Sequence, residues 1–486
     1  MNNSNIYMNS LTRHGNSTLF IAKEDDEKIL YVFGEGEAYN ILEGEKVLLP
    51  DGKAKRCPLN NTNAKTIRKL FPFTNPVSHK GHPFTMGLGD RLGLASPGHI
   101  KLISLINEMK NTNNIDVFPV LAQQSMRELN LTGRTYDDVL AAAVWAVFQE
   151  GYRNGYGADG DHLKTYDEVR MALDCGFSMI TLDCSEHIRN DIMTFDDSEI
   201  DHLYNSLDRD VTAKLESDYA DKIIWFDGGA SIAILLAELK RIILIYLGAI
   251  KHTVNIYNDL ICGKRVDFEM SVDETSFTTS PQAHYFVASE LKKAGVEITS
   301  IAPRFCGEFQ KGIDYRGDVN EFTKEFTVHA KIANKLGYKL SIHSGSDKFT
   351  VFPIIYKETG RVVHVKTAGT NWLEALRVIA NKNPGLFREI YKYALENLAE
   401  AKKYYHITEN INNIPDINSL GDCDLPSFLD QNDSRQVLHV TYGLILSAKN
   451  ANGTFIYKNA IYTTLNQYEN DYYNALIKHI RRHIQQ

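Results

Sequence analysis

Cysteine is scarce in this sequence, and its few cysteines are far apart. Six of the 486 residues are cysteine, and they stand at Cys57, Cys175, Cys184, Cys262, Cys306 and Cys423. This spacing argues against both a disulfide framework and a thiolate zinc site, which need close or regularly spaced pairs. We therefore predict reduced thiols that mainly contribute to packing.

The sequence also lacks a long apolar run and an excess of positive charge. Its most apolar stretch, SIAILLAELKRIILIYLGAI, is interrupted by Glu238, Lys240 and Arg241, whereas a membrane-spanning helix needs about 20 mainly apolar residues. The first residues, MNNSNIYMNSLTRHGNS, contain no apolar signal core. The 53 basic and 61 acidic side chains give a net charge of −8, which does not attract nucleic acid or an anionic membrane. We expect a cytoplasmic protein that binds neither.

What the sequence does have is enough apolar material for a large core. Hydrophobic residues make up 43% of the chain, which suits one big domain with additions, or two domains. Residues 1–80 contain the strand-like segments TLFIAK and KILYVFG and are predicted to form a small α/β unit. Residues 81–385 follow a repeating pattern that is broken by a helical insertion at about 188–263. Residues 386–486 are predicted to form a C-terminal helical region.

The repeating pattern consists of a short strand that ends on polar residues and a helix-patterned segment after it. The eight predicted strands lie in TMGLGDRLG, DVFPVLAQQS, GYGADGDHLK, SMITLDCSEH, VDFEMSVDET, TSIAPRFCGE, LSIHSGSDK and VVHVKTAGT. Several helices between them open with Ser, Thr, Asp or Asn and close on Gly, as helix ends prefer. Eight repeats predict an α/β protein with a (β/α)₈ TIM-type barrel rather than a doubly wound sheet, which usually has fewer strands.

The polar strand ends are the candidate site, because active sites of such barrels form at the carboxyl ends of the strands. In KLSIHSGSDKFTVFP the apolar alternation of a strand gives way to His343, Ser344, Asp347 and Lys348. The other strand ends offer Asp90, Arg91, Gln123, Gln124, Asp161, His162, Asp183, Asp273, Glu274, Arg304, His364 and Lys366. Polar residues are common in any solvent-exposed loop. Polar residues at this many strand ends nevertheless favour one shared polar site at that end of the barrel.

The fifth strand contains two carboxylates that period-two alternation directs into the barrel. In FEMSVD, Phe268, Met270 and Val272 share one face, and Glu269, Ser271 and Asp273 share the other. A buried carboxylate needs a cation or a metal as partner. A structural ion pair with Lys366 or Arg304 is the alternative to a functional role.

Three imidazoles on non-adjacent strand ends, together with a carboxylate, would suit a divalent transition metal with open positions for substrate. These imidazoles belong to His162, His343 and His364. No local spacing motif supports the set, and a single histidine is more often a satisfied structural group.

One dinucleotide-binding match is rejected. Residues 155–160, GYGADG, fit G-x-G-x-x-G, and Asp183 follows at about the expected distance. The preceding segment is nevertheless predicted as a helix where a strand is required, and Asp159 and Asp161 would place carboxylates beside a pyrophosphate. No P-loop, nucleophile elbow or zincin motif is present either.

Ten longer segments and one tripeptide of the chain can be compared with known families. They are GLGDRLGLASPGH, AQQSMREL, LTGRTYDDV, WAVFQEGY, GADGDHLK, SVDET, TSP, GEFQKGIDYRGD, HSGSDKF, HVKTAGT and RQVLHVTYG. Together these segments resemble the bacterial tagaturonate epimerase family, in order from about Phe71 to the C-terminus. The resemblance implies interconversion of D-tagaturonate and D-fructuronate in hexuronate catabolism, with a divalent metal. The family motifs carry over to Asp161, His162, Asp273, Glu274, His343, Asp347, Lys348, His364 and Lys366.

The mechanism that follows as a hypothesis is retro-aldol cleavage next to the ketone, rotation of the aldehyde fragment and re-addition. The two sugars differ at a carbinol carbon β to the ketone, so abstraction of its C–H proton gives no enolate. Transient oxidation by a bound nicotinamide is the other route, which the weak nucleotide signal disfavours. A divalent Zn, Mn or Ni ion would act as Lewis acid and template.

The roles of the candidate residues follow from this hypothesis. Asp161 or Asp273 is expected to act as general base and then general acid. The expected metal ligands are His162, Glu269, His343 and His364, and the expected substrate-binding residues are Arg91, Gln123, Arg304, Ser344, Lys348 and Lys366.

Two other functions remain open from the sequence. A different metal-dependent sugar enzyme, either a ketose isomerase or a class II-like aldolase, would form an aldose or three-carbon fragments from tagaturonate. A non-catalytic carbohydrate-binding protein would bind the sugar acid without turnover. Such proteins usually use exposed aromatic residues, whereas Trp145, Trp225 and Trp372 fall mainly in helix-like segments here. A homo-oligomer is also left open.

Overall fold

The protein is built around a closed barrel of eight parallel strands. A computed structural model describes residues 6–50, 52–109 and 115–485. An antiparallel sheet precedes the barrel, and a set of helices follows it. The predicted α/β class and TIM-type barrel are confirmed.

The N-terminal unit is a five-stranded antiparallel sheet with strand order β1-β2-β3-β5-β4. Its strands are β1 (Thr12–His14), β2 (Ser17–Glu24), β3 (Glu27–Phe33), β4 (Glu45–Leu49) and β5 (Gly52–Pro58), with helices α1 (Glu37–Ile41) and α2 (Asn61–Leu70). The predicted segments TLFIAK and KILYVFG lie in β2 and in the central strand β3, which pair with each other.

The first half of the barrel alternates strands with helices. Its elements are β6 (Phe84–Gly87), α3 (Ser96–Glu108), β7 (Val117–Ser125), α4 (Met126–Thr132), α5 (Tyr136–Glu150), β8 (Gly157–Leu163), α6 (Tyr166–Cys175) and β9 (Met179–Asp183). Local sequence explains the helix ends. The Thr165 and Glu168 side chains form a capping box before α6, and Gly176 ends that helix with a left-handed φ of 94°.

The segment at 188–263, predicted as helical, contains a hairpin as well as helices. Its elements are α7 (Asp197–Asn205), α8 (Arg209–Tyr219), β10 (Lys222–Trp225), β11 (Ser231–Ile234) and α9 (Leu236–Ile256). The two strands pair antiparallel through a turn that contains Gly228 and Gly229, both with positive φ. These four-residue strands are too short to give a clear alternation signal beside the longer helical pattern.

The second half of the barrel and the C-terminal helices complete the chain. The barrel elements are β12 (Asp267–Val272), α10 (Pro281–Lys293), β13 (Ser300–Pro303), α11 (Val319–Leu336), β14 (Lys339–Ile342), α12 (Phe352–Thr359), β15 (Val363–Lys366) and α13 (Thr370–Lys382). The helices after them are α14 (Pro384–Glu396), α15 (Leu398–Ala401), α16 (Asn432–Val440), α17 (Tyr442–Ser447), α18 (Lys458–Gln467) and α19 (Glu469–Ile484).

The barrel closes through pairing of β15 with β6, and its two faces differ sharply in polarity. In β12, Phe268 and Met270 belong to the hydrophobic core, while Glu269 and Ser271 are buried polar residues on the opposite face. The outward faces of the strands therefore pack against the helices, and the interior carries charge. Among the described helices, none is both long and apolar enough to cross a bilayer.

Helix α19 packs against α3 and α13 on the outside of the barrel. The contact is close, because a Cβ atom on Gly98 would come within 3.1 Å of the Leu476 Cδ1 atom. The Leu476 side chain is fully buried there.

The Leu476→Ala substitution should reduce the free energy of unfolding by about 2–5 kcal/mol, because it leaves a cavity at this contact. Urea denaturation followed by circular dichroism measures the change. The control is Leu48→Ala on strand β4, where the leucine is 81% exposed and a change within about 0.5 kcal/mol is expected. Equal effects of the two substitutions would contradict this account of the α19 contact.

Candidate active site

The interior of the barrel is organised around the Lys366 ammonium group at the end of β15. Its Nζ atom lies 2.9 Å from Asp159 Oδ2, 2.7 Å from Asp161 Oδ1 and 2.9 Å from Glu269 Oε1. It also donates a hydrogen bond of 2.7 Å to Thr181. These carboxylates come from β8 and β12, so one cation connects three strands across the barrel.

The pKa values of these groups follow from burial and mutual attraction. Burial lowers the pKa of Lys366, but the three carboxylates raise it well above its usual value. Burial raises the pKa of Asp161 and Glu269, but Lys366 lowers both well below their usual range. Asp159 is the exception, since burial raises its pKa to about 6 despite Lys366. The network therefore holds Asp161 and Glu269 as carboxylates at neutral pH.

Above Lys366, three side chains form a group that could hold a metal ion. Ligand atoms of His162, Asp273 and His343 all lie within 4.8 Å of one another. His343 Nδ1 is 3.1 Å from Asp273 Oδ1, and His343 Nε2 is 2.8 Å from Glu269 Oε1. Glu269 thus orients the His343 ring from beneath, in the way that carboxylates support metal-binding histidines.

The protonation of this group follows from the same charges. Burial lowers the pKa of His162, but Asp161 and Asp273 raise it to about 10. Burial raises the pKa of Asp273, but His343 and His162 lower it. Protonated imidazoles thus balance the acids here, and a divalent cation would replace those protons.

Strained backbone conformations occur at or next to His162 and His343 and direct their side chains. His162 has a φ of 52°, and Ser344, the residue after His343, has a φ of 51°. Non-glycine residues rarely adopt such values. His162 lies where the register between β8 and β9 shifts, between Gly160 and Leu163, and such irregularities redirect side chains near active sites.

Residues of the C-terminal helices hold the loop after β14 in place. Asp347 has a φ of 64°, and its carboxylate lies 2.6 Å from Arg435 Nη2 and 2.5 Å from His479 Nε2. The backbone N–H of Asp347 donates a 2.9 Å hydrogen bond to His483. These contacts stabilise the loop that carries His343.

A cavity opens at this end of the barrel, and it collects most of the predicted residues. Of these, it is lined by Arg91, Gln123, Asp161, His162, His343, Ser344 and Lys366. An adjoining cavity shares His162 and His343 and adds Asp273 and Arg304. Glu269 lies beneath, fully buried, as the alternation in FEMSVD predicts.

His364 does not reach this cavity. It precedes Lys366 by two residues on the same strand face and so lies one layer deeper. Its Nδ1 atom is 2.8 Å from the Thr85 hydroxyl, and its ring stacks on the His79 ring with 5.8 Å between the ring centroids. Burial lowers its pKa to about 3. The expectation that His364 joins the other two histidines as a ligand is not supported by this position.

Lys348 also lies away from the cavity. Its ammonium group donates hydrogen bonds of 2.6–2.9 Å to the backbone carbonyls of Gln310, Ile313 and Ser346. Burial lowers its pKa to about 7. Lys348 joins two loops, so its position does not support a substrate contact.

The rejected dinucleotide match is a strand in the structure. Most of GYGADG lies in β8, and Asp159 and Asp161 both contact Lys366. The strand–turn–helix geometry that cradles a pyrophosphate is therefore not formed by these residues.

Several cavity residues were not among the predicted ligands and substrate contacts. They are Arg127, Glu128, Glu274, Lys311, Tyr405 and His439. Glu274 was predicted at a strand end without a specific role, and Lys311 follows β13, so the strand-end rule could have selected it as well. Tyr405 and His439 come from beyond the barrel. His439 lies in RQVLHVTYG, one of the segments that resemble the family, but no sequence pattern placed either side chain at the cavity.

Fold and site together define a (β/α)₈-barrel enzyme with a charged cavity at the carboxyl ends of its strands. A family model described as tagaturonate epimerase matches residues 7–486. The chain is 39% identical to the tagaturonate/fructuronate epimerase of Thermotoga maritima, over 99% of this chain and 96% of that protein. The chain belongs to the tagaturonate epimerase family.

Solved structures agree with this assignment. The glycerol complex of fructuronate-tagaturonate epimerase UxaE from Cohnella laeviribosi superposes with a TM-score of 0.94 at 46% identity, covering 99% of this chain and 95% of that one. The native structure of the same enzyme gives a TM-score of 0.93 at 46% identity, covering 98% of this chain and 95% of that one.

Lys366→Met should lower the free energy of unfolding by about 3–5 kcal/mol at pH 8, because it leaves buried carboxylates without their cation. Without Lys366 the folded-state pKa values of these acids rise above their unfolded values, so stability is lost as pH rises from about 5 to 8. The loss should therefore shrink towards pH 5, as measured by urea denaturation at several pH values.

The matched control is Lys80→Met, because Lys80 forms an exposed ion pair of 2.9 Å with Glu297. It should leave stability nearly unchanged at every pH. A Lys366→Met loss that does not depend on pH would argue against the charge balance described here.

Proposed function

We propose that this protein interconverts D-tagaturonate and D-fructuronate with the help of a divalent metal ion. The observation that carries the proposal is the convergence of His162, Asp273 and His343 beside a cavity rich in cations. The family and the names of the relatives supply the sugar acids. The cations suit the substrate carboxylate, and the three ligands suit the metal.

The residues present fit a divalent ion. Two imidazoles and a carboxylate are a donor set typical of zinc, manganese or nickel sites that leave positions open for substrate. We assign His162, His343 and Asp273 as the ligands, and Glu269 as the carboxylate that orients His343. An ion bound there would supply Lewis-acid stabilisation of negative charge at the ketone oxygen.

Asp161 is the general base in this proposal. It lines the cavity, and its carboxylate is oriented by Lys366 on one oxygen and by Gln123 Nε2 at 3.0 Å on the other. Its lowered pKa keeps it ionised. Asp273, the other candidate base, lies among the metal-binding side chains instead.

The proposed reaction begins when Asp161 takes the proton of the hydroxyl on the carbon β to the ketone. The C–O bond becomes an aldehyde carbonyl, and the electron pair of the bond between the α and β carbons passes to the α carbon as an enediolate. The aldehyde rotates, the enediolate carbon attacks its opposite face, and Asp161 returns the proton to the new alkoxide. No atom is gained or lost, and the configuration at the β carbon is inverted.

Chelation should abolish the conversion of tagaturonate to fructuronate, and added Zn, Mn or Ni should restore it, as followed by NMR of the sugar. His162→Asn and His343→Ala should lose the bound metal by elemental analysis, since each removes one ligand. Asparagine is chosen at position 162 because it tolerates a positive φ.

The control for the ligand set is His364→Gln, which should keep its metal because His364 contacts Thr85 instead. Turnover that survives thorough metal stripping would rule out metal dependence. Metal loss in His364→Gln equal to that in His162→Asn would rule out the ligand assignment. Three-carbon products or an aldose would point to an aldolase or an isomerase.

Deuterium at the epimerised carbon should cause only a small secondary isotope effect, because the retro-aldol route never breaks that C–H bond. The measurement compares rates for labelled and unlabelled tagaturonate and follows the label in fructuronate. A large primary effect would instead support transient oxidation by a nicotinamide.

A further inference from the structure

One wall of the cavity carries a group of cationic and neutral donors to which neither metal binding nor proton transfer was assigned above. It consists of Arg91, Lys311, Ser344 and His439, which all line the same cavity. The Lys311 ammonium group donates a 2.7 Å hydrogen bond to the Ser344 hydroxyl. We call these four residues the cation wall.

Lys311 differs from the other cations of the cavity in its lack of an acidic partner. Lys366 contacts three carboxylates, and Arg127 lies 3.3 Å from Glu274. Within the described part of the chain, Lys311 forms no ion pair, and the contact found for its ammonium group is with a hydroxyl. A partly buried positive charge without a counterion favours binding of an anion from outside the chain.

The neighbours of Lys311 strengthen this preference. Arg91 is held by Glu128 at 2.8 Å and stacks on the Tyr442 ring at 3.8 Å. Its buried Nη1 atom has no hydrogen-bond partner among the described residues. The same holds for both ring nitrogens of the buried His439. Burial, Arg91 and Lys311 together hold the pKa of His439 well below its usual value, so this imidazole is neutral and can donate one hydrogen bond.

The cation wall lies next to the metal-binding side chains along the chain itself. His343 belongs to those side chains, and Ser344, the next residue, contacts Lys311. Consecutive Cα atoms are about 3.8 Å apart. A six-carbon sugar acid with its ketone near one end and its carboxylate at the other can therefore reach both groups.

We propose that Lys311, with Arg91 and Ser344, binds the carboxylate of the sugar acid and selects hexuronates over neutral sugars. This inference rests on the proposed function, because it takes the same cavity as the substrate site. The carboxylate would give the Lys311 ammonium group a counterion and would accept a hydrogen bond from the Nη1 atom of Arg91. Two neighbouring donors of this kind suit the paired oxygens of a carboxylate.

Lys311→Met tests the proposal in the metal-loaded enzyme. Binding of D-galactonate and of its neutral counterpart galactitol is measured by calorimetry, and KM and kcat are measured with tagaturonate. The substitution should weaken galactonate binding and raise KM about 10- to 100-fold, as expected for loss of a charged hydrogen bond. Binding of galactitol should hardly change, and Lys311→Arg should recover part of the affinity for the acid.

Each result decides one question. Equal weakening of both ligands in Lys311→Met, or a wild-type protein that does not prefer the acid, would overturn the role of Lys311. An unchanged affinity for galactonate in Lys311→Met would overturn it as well. A wild type that prefers galactonate but does not epimerise tagaturonate would refute the proposed function and leave the carboxylate subsite standing.

Discussion

The structure depends on one electrostatic constraint, which is the compensation of three buried carboxylates by a single ammonium group inside the barrel. Asp159, Asp161 and Glu269 all lie within 2.9 Å of Lys366 Nζ. Ionised groups are costly to bury unless they are paired and hydrogen-bonded. The barrel interior can therefore be polar only because these groups come together from separate strands. Their pairing also prepares the site, since it keeps Asp161 ionised and holds Glu269 against His343.

The second requirement is a rigid frame for the strained residues above this layer. His162, Ser344 and Asp347 adopt positive φ values, which cost free energy unless the surroundings enforce them. Arg435 from α16 and His479 from α19 hold Asp347. The C-terminal helices thereby shape the loop that carries His343, and α16 also contributes His439 to the cavity, while Tyr405 comes from the loop after α15. They belong to the site as well as to the outer packing.

Much of the architecture was readable from periodicity. The eight strand segments were predicted at the positions where the barrel strands lie, because each has an apolar outer face and ends on polar residues. The alternation in FEMSVD also assigned Glu269 to the interior. The same rule predicted His364 as a ligand, which its contacts with Thr85 and His79 do not support, because alternation tells which face a residue occupies but not how deep it lies along the barrel axis. The predicted substrate contact of Lys348 is not supported by its position either. Lys348 lies in the loop after β14, and strand alternation does not predict where a loop side chain points.

By itself, the sequence determined the barrel, the end of it that carries the site and the family, since these depend on local periodicity and on the identity of short segments. Only the tertiary structure decided which polar residues meet. Lys311 and His439 are brought to the site by long-range packing of loops and helices, and their distances depend on contacts between residues far apart in the chain. Local patterns carry no information on such distances. The sequence could therefore offer Lys366 as an ion-pair candidate and Arg91 and Ser344 as substrate contacts. The three carboxylates that meet at Lys366 and the contact of Lys311 with Ser344 followed only from the folded chain.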